Sequence, residues 1–92
     1  MASFSIINPY TNKIIESHNY ESLLNIEEKV IKLTNAFNQW KASPINTKKK
    51  TIKHIGDQLS KQKNDIANII STDMGKPIKE AVSEVNKCID CC

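Results

Sequence analysis

Three cysteines crowd the last five positions of the chain, at Cys88, Cys91 and Cys92. Cys88 and Cys91 form a C-x-x-C, a spacing used by redox dithiols and by metal sites. Two features weigh against both readings. The cysteines fall late in a helical pattern, far from a helix N-terminus where a thiolate would be stabilised. No second ligand pair accompanies them, as a structural zinc would need. Cys88 and Cys92, four residues apart, share a helix face and are expected to pack there. The run Lys48-Lys49-Lys50 has the charge to meet phosphate. At a helix start it reads instead as solvated surface, with its charge opposing the helix dipole. His18 and His54 have no catalytic partner within reach of the sequence pattern and read as surface residues. Gly75-Lys76-Pro77 lacks the G-x-x-x-x-G-K-[ST] pattern of a phosphate loop; a helix stop accounts for all three residues. Asp73 stands apart. It sits one turn before that stop, where the partial negative charge of a helix gathers, so its carboxylate calls for a compensating cation. Lys76 is the nearest cation in sequence.

The elements that must position these residues follow from periodicity. Residues 3–17 predict a short β-hairpin: Phe4, Ile6 and Ile7 precede the turn chemistry of Asn8-Pro9-Tyr10-Thr11-Asn12, and Ile14 and Ile15 follow it. Pro9 fixes its φ and Asn12 tolerates a left-handed backbone. Ile26, Val30, Leu33, Phe37 and Trp40 step by four and three, which predicts an amphipathic helix over about 26–41. Asn25 is the expected cap, with Glu28 completing a capping box. A second helix is expected over 44–74, with Ser43 as its cap and Pro44 as its first residue. Its apolar positions drift in phase, which predicts a break near Gln62–Asp65. Gly75 ends it as a left-handed cap and Pro77 prevents continuation. A third helix, 77–92, carries Ile78, Val82, Val85, Ile89 and Cys92. No glycine, proline or polar cap follows Cys92, so the third helix reads as truncated. The fold class is mainly α: a short N-terminal hairpin and three amphipathic helices. Their apolar faces suit either a small bundle or a layer lying on a larger sheet domain.

Composition narrows the class of function. The chain has 92 residues, a net charge of +3 and a hydrophobic fraction of 39%. The basic residues number 13 and all are lysine. Nucleic-acid sites usually cluster arginine as well, so no nucleic-acid partner is expected. No stretch approaches the roughly 18 apolar residues of a membrane span. No secretory leader pattern opens the chain. An odd number of cysteines at one end is no disulfide framework, and a reducing, cytoplasmic setting is the natural reading.

The segment Asp73-Met74-Gly75-Lys76-Pro77-Ile78-Lys79-Glu80-Ala81, followed by Glu84-Val85-Asn86-Lys87-Cys88, resembles the aldehyde dehydrogenases. It most resembles their NAD(P)-dependent succinate-semialdehyde branch. Ile7-Asn8-Pro9-Tyr10-Thr11-Asn12 resembles that family's early "N-P-x-T-G" turn, with Asn12 in place of the glycine. Ala36-Phe37-Asn38-Gln39-Trp40 is similar to its "A-F-x-x-W". Lys48 stands where an arginine is common. The resemblance covers essentially the whole chain in one register.

The resemblance implies that residues 1–92 are the N-terminal segment of the cofactor-binding domain, part of an α/β fold at full length, with the later domains absent. It implies oxidation of an aldehyde, succinate semialdehyde being the leading candidate, to its acid with NAD or NADP. The cysteine nucleophile, the glutamate that activates water and the oxyanion-stabilising asparagine would all lie downstream of Cys92. None of the three cysteines here matches that nucleophile. No catalytic and no cofactor-binding residue is therefore expected in this chain, and the remainder of the enzyme is its expected partner, within a homo-oligomer. The resemblance also implies a monovalent cation site for Na+ or K+, held by Asp73 and the backbone oxygens of Ile6 and Ile7. A stand-alone helical interaction module, or a non-functional remnant, is the competing reading.

Overall fold

The computed structural model describes residues 2–92. Two strands, β1 (Ser3–Ile7) and β2 (Ile14–Asn19), precede four helices: α1 (Leu23–Lys41), α2 (Ile45–Lys61), α3 (Lys63–Met74) and α4 (Ile78–Cys91). The mainly helical architecture with an N-terminal hairpin is as the sequence predicts. The helix expected over 44–74 is two helices, because the chain breaks at Gln62, inside the stretch where the apolar phase drifts.

The hairpin is antiparallel and pairs Ser3 with Asn19 and Ile6 with Glu16. Ile7 then pairs with Ile14, so Ile15 is an extra residue that bulges the second strand. The turn folds on Asn8. Its side-chain oxygen accepts from the N–H of Tyr10 at 2.9 Å and of Thr11 at 3.3 Å. Asn12 takes the positive φ of 60° expected of it, a conformation a short polar side chain tolerates. The strands also run two residues beyond the expected hairpin end, to Asn19.

Helix α1 starts earlier than its apolar stripe. Ser22, not Asn25, is the cap: its Oγ accepts from the N–H of Asn25 at 3.2 Å. Asn25 lies inside the first turn, so the expected Asn25–Glu28 box does not form. At α2 the cap position falls on Pro44, one residue after the Ser43 expected there, and Ile45 is the first helical residue. Pro77 likewise caps α4. Both prolines are extended, with ψ of 149° and 140°, and each spends its missing N–H where a helix needs none.

The packing is thin. Among the described residues only Ala67, Ala81 and Val85 form a buried apolar core, flanked by Ile66, Ile70, Val82 and Ile89. The core lies between α3 and α4, and α2 packs along α4. Gly56 of α2 is buried because a Cβ there would lie 2.8 Å from the Cβ of Cys92. Helix α1 contributes no buried residue. The molecule measures 48 × 37 × 14 Å, and 14 Å is little more than one helix thick. Its radius of gyration is 17.4 Å, against about 12 Å for a compact chain of this length. Its accessible surface is 7682 Å², against about 5,400 Å² for a compact protein of its mass. The chain is a single layer of secondary structure, and much of what it leaves uncovered is apolar.

Candidate functional site

The corner between α3 and α4 is held by several local contacts. Gly75 ends α3 with φ of 71° and ψ of 18°, and its N–H returns to the carbonyl of Ser71 at 3.0 Å. The hydroxyl of Ser71 then donates to the carbonyl of Lys76 at 2.7 Å. These bonds satisfy backbone groups that the helix end would otherwise orphan. The ring of Pro9 presses on this corner: a Cβ on Gly75 would lie 2.7 Å from Pro9 Cγ. Glycine is required at position 75 twice over, by its left-handed backbone and by this approach.

The Pro9–Gly75 contact brings the chain two residues beyond Ile7 against the chain two residues beyond Asp73. Asn8, Tyr10, Ser71, Thr72, Lys76 and Pro77 line a shallow cleft between them. Asp73 is half-buried at its side, and the hydroxyl of Thr72 lies 3.4 Å from Asp73 Oδ1. Ile6 is half-buried and Ile7 exposed. Lys76 does not pair with Asp73. It bonds to Glu84, on the second turn of α4. That hydrogen bond holds the Lys76 ammonium above its ordinary pKa, against the opposing effect of burial. Asp73 is thus left without the lysine its sequence neighbourhood suggests.

The other sequence candidates are dispersed. Cys88, Cys91 and Cys92 are free and exposed. The packing expected of Cys88 and Cys92 is realised only in part, where Cys92 meets Gly56. Lys48 is half-buried, and its ammonium donates to the carbonyl of Lys41 at 3.3 Å, closing the α1–α2 junction. Lys48 and Lys49 also border an apolar cleft between α2 and α4 lined by Ile45, Ile52, Ile89 and Cys92. His18 is half-buried rather than on the open surface, with its ring 5.4 Å from that of Phe4. His54 is exposed. Among the described residues no three His, Cys, Asp or Glu side chains are placed to hold a metal ion, and no helix is long and apolar enough to cross a membrane.

An apolar stripe lies exposed along α1. Ile26, Val30, Leu33, Phe37 and Trp40 of α1 range from 38% to 68% exposed. On a lone soluble domain such a stripe would be buried. Ile45, Ile52 and Ile55 continue the exposure onto α2. The stripe was legible in the sequence, but not that nothing in residues 2–92 covers it.

Comparison with known proteins places this layer in a family. The aldehyde dehydrogenase family matches over residues 1–92, and the chain belongs to that family. A protein named aldehyde dehydrogenase family 7 member A1, from Pisum sativum, is 29% identical over 94% of this chain. A Bos taurus α-aminoadipic semialdehyde dehydrogenase is 30% identical over 91% of it. A Deinococcus radiodurans succinate-semialdehyde dehydrogenase [NADP(+)] is 22% identical over 89%. The matched regions cover 17%, 16% and 17% of those relatives, so the chain spans about a sixth of their length. No solved structure matches the chain significantly.

The residues present do not fit a dinucleotide. Such sites need a glycine-rich turn opening a helix, so that backbone N–H groups can approach the pyrophosphate. The two glycines here serve a helix–helix contact, at Gly56, and a helix end, at Gly75.

Proposed function

We propose that residues 1–92 are the N-terminal segment of the cofactor-binding domain of an NAD(P)-dependent aldehyde dehydrogenase. In that enzyme the segment is scaffold: its apolar faces cover the rest of the polypeptide, and the catalytic and cofactor-binding residues lie elsewhere. One observation carries this reading. A one-layer slab with a continuous apolar stripe on α1 is what a fold makes when its second layer comes from another part of the chain. The family match across residues 1–92 supports reading that other part as the remainder of an aldehyde dehydrogenase.

The whole enzyme oxidises an aldehyde to its carboxylic acid with NAD or NADP, as a homo-oligomer in a reducing cytoplasm. Succinate semialdehyde is the leading substrate. Relatives named for α-aminoadipic, succinate, N-succinylglutamate and malonate semialdehydes all point to an aldehyde that also carries a carboxylate. Asp73, with the backbone carbonyls of Ile6 and Ile7, holds a Na+ or K+ ion there. The half-buried Asp73 carboxylate without a lysine partner, beside the Pro9–Gly75 contact, supports that assignment.

The test is expression of the uninterrupted reading frame beside the 92-residue chain, each assayed for succinate-semialdehyde-dependent formation of reduced nicotinamide. Turnover is expected only from the longer product. Turnover by the 92-residue chain would overturn the scaffold reading. A longer product inactive on every semialdehyde would overturn the enzyme reading. Calorimetric titration of Na+ into the longer product, with and without Asp73→Ala, tests the cation site; equal heats from both would remove it.

A further inference from the structure

Helix α1 carries its apolar residues at a spacing that selects what can cover it. Leu23, Ile26, Val30, Leu33, Phe37 and Trp40 alternate in steps of three and four along the helix, and all of them are exposed. That alternation is the two-row repeat of a coiled-coil seam. A straight α-helix drifts about 20° per seven residues against such a repeat, so the seam winds left-handed about the helix. The rows beside it are not bulky and apolar. Glu27, Thr34 and Lys41 flank one side, and Lys29 and Ala36 the other. Leu24 and Ile31 lie about 130° away from the middle of the seam and take no part in it.

Width, length and charge decide the partner. A helix that faces a general core presents a wider stripe, with a flanking row apolar as well. A seam of two rows fits one other helix, crossing at about 20°. Residues 23–40 make fewer than three heptads, short of the roughly 3–4 that mark a free coiled coil. The seam is therefore a docking contact inside a folded body and not a zipper between separate chains. Charge sets the direction. The row of Glu27, Thr34 and Lys41 runs from acidic to basic toward the C-terminal end of α1. Among the described residues neither Glu27 nor Lys41 enters an ion pair, whereas Lys29, on the other flank, is held by Glu21. The Lys41 ammonium lies 5.6 Å over the Phe37 ring, at the edge of the seam. Helices favour acidic residues in their first turn and basic ones in their last. A partner with that common pattern meets Glu27 with its basic end and Lys41 with its acidic end only when it runs antiparallel.

We propose that α1 docks antiparallel against a single helix of the same enzyme, over a left-handed seam. The inference rests on the reading of residues 1–92 as part of an aldehyde dehydrogenase and names the element that covers α1 there. The partner helix carries apolar residues at the same alternation of three and four. Small ones stand opposite Phe37 and Trp40 and larger ones opposite Val30, so that facing layers interdigitate. Its flank bears Lys or Arg beside Glu27 and Asp or Glu beside Lys41.

The test is site-directed photocrosslinking in the longer product, with a benzophenone amino acid in place of Glu27 or, separately, of Lys41. Both positions are exposed, and circular dichroism checks that each variant folds. The attached sites are then mapped by mass spectrometry. Glu27 and Lys41 stand about 21 Å apart along the helix axis. Both should attach to one segment of the same polypeptide, with the sites reached from Glu27 about 14 residues C-terminal to those reached from Lys41, the helical spacing for that distance. The reverse order would overturn the antiparallel direction. Sites about 6 residues apart, the spacing of a strand over the same distance, or sites scattered over several segments, would overturn the single-helix partner. Attachment only to a second chain, or none from either position, would overturn docking within the enzyme. Semialdehyde turnover of the same preparations separates the two readings. An inactive product that still attaches in the expected order upholds the seam and refutes the enzyme, and an active one that does not refutes the seam alone.

Discussion

Replacing Gly75 with alanine tests the corner on which both the cation assignment and the hairpin's position rest. Two costs add. A left-handed backbone, here with φ of 71°, costs an ordinary L-residue about 1–2 kcal/mol. The new Cβ would also stand 2.7 Å from Pro9 Cγ, about 1 Å inside ordinary contact between carbons. Relieving an overlap of that kind typically costs about 1–3 kcal/mol. Gly75→Ala should therefore destabilise by about 2–5 kcal/mol in urea denaturation of the longer product. The two terms separate in a double-mutant cycle. Pro9→Ala removes Cγ and Cδ and leaves only the Cβ contact at 3.4 Å. In that background Gly75→Ala should cost only the backbone part, about 1–2 kcal/mol. Gly75→Asn should keep the clash while lowering the backbone cost, since asparagine visits this region more readily. A Gly75→Ala cost below about 0.5 kcal/mol would refute the corner geometry. A cost unchanged by Pro9→Ala would refute the contact with the hairpin turn.

Other outcomes follow from the same coordinates. Gly56→Ala would ordinarily stabilise a helix interior by about 1 kcal/mol; here it should destabilise, because its Cβ meets Cys92 at 2.8 Å, and Cys92→Gly should reverse the sign in thermal denaturation. Ser22→Ala should cost about 1 kcal/mol and speed hydrogen exchange in the first turn of α1, whereas Asn25→Ala should change that turn little. The carboxyl of Glu21 is held below its ordinary value of 4.5 first by its hydrogen bond from Lys29, then by that from Asn25. A depressed carboxyl stabilises above its unfolded pKa and loses that contribution as pH falls through the folded one. The Glu21–Lys29 tether, 2.6 Å long, should therefore open below about pH 4.5, and Lys29→Met should raise the Glu21 pKa in an NMR titration.

Much of the fold was legible because local chemistry decides it. Gly75 followed by Pro77 specifies a helix end, Asn12 specifies a left-handed turn residue, and the phase drift before Gln62 marks the break between α2 and α3. The start of α1 was misread for a physical reason. Leu23 stands three residues before Ile26 and continues the apolar stripe, whereas Leu24 lies off it; the pair blurs the period at the helix start, and the clear run begins only at Ile26. The Ser22 cap carried no signal stronger than that of Asn25. The site was harder. Lys76 has Glu80 four residues on, the spacing helix rules favour, yet it bonds to Glu84 across the corner. That choice depends on how α4 leaves Pro77, which no periodicity reveals. The proximity of the hairpin turn to the corner, through Pro9 and Gly75, is likewise tertiary and leaves no mark on the local sequence pattern.

The central claim is that the apolar stripe of α1 exists to be covered by the rest of an aldehyde dehydrogenase. Hydrogen–deuterium exchange over residues 23–41, measured in the 92-residue chain and in the longer product, tests it most directly. Alone, a helix of 19 residues without a packing partner is marginal in water, so its amides should exchange almost as fast as unfolded ones. In the longer product the same amides should be protected by at least about 100-fold, the signature of burial against a second layer. Equal exchange in the two forms would contradict the claim, because it would mean that nothing in the enzyme covers α1.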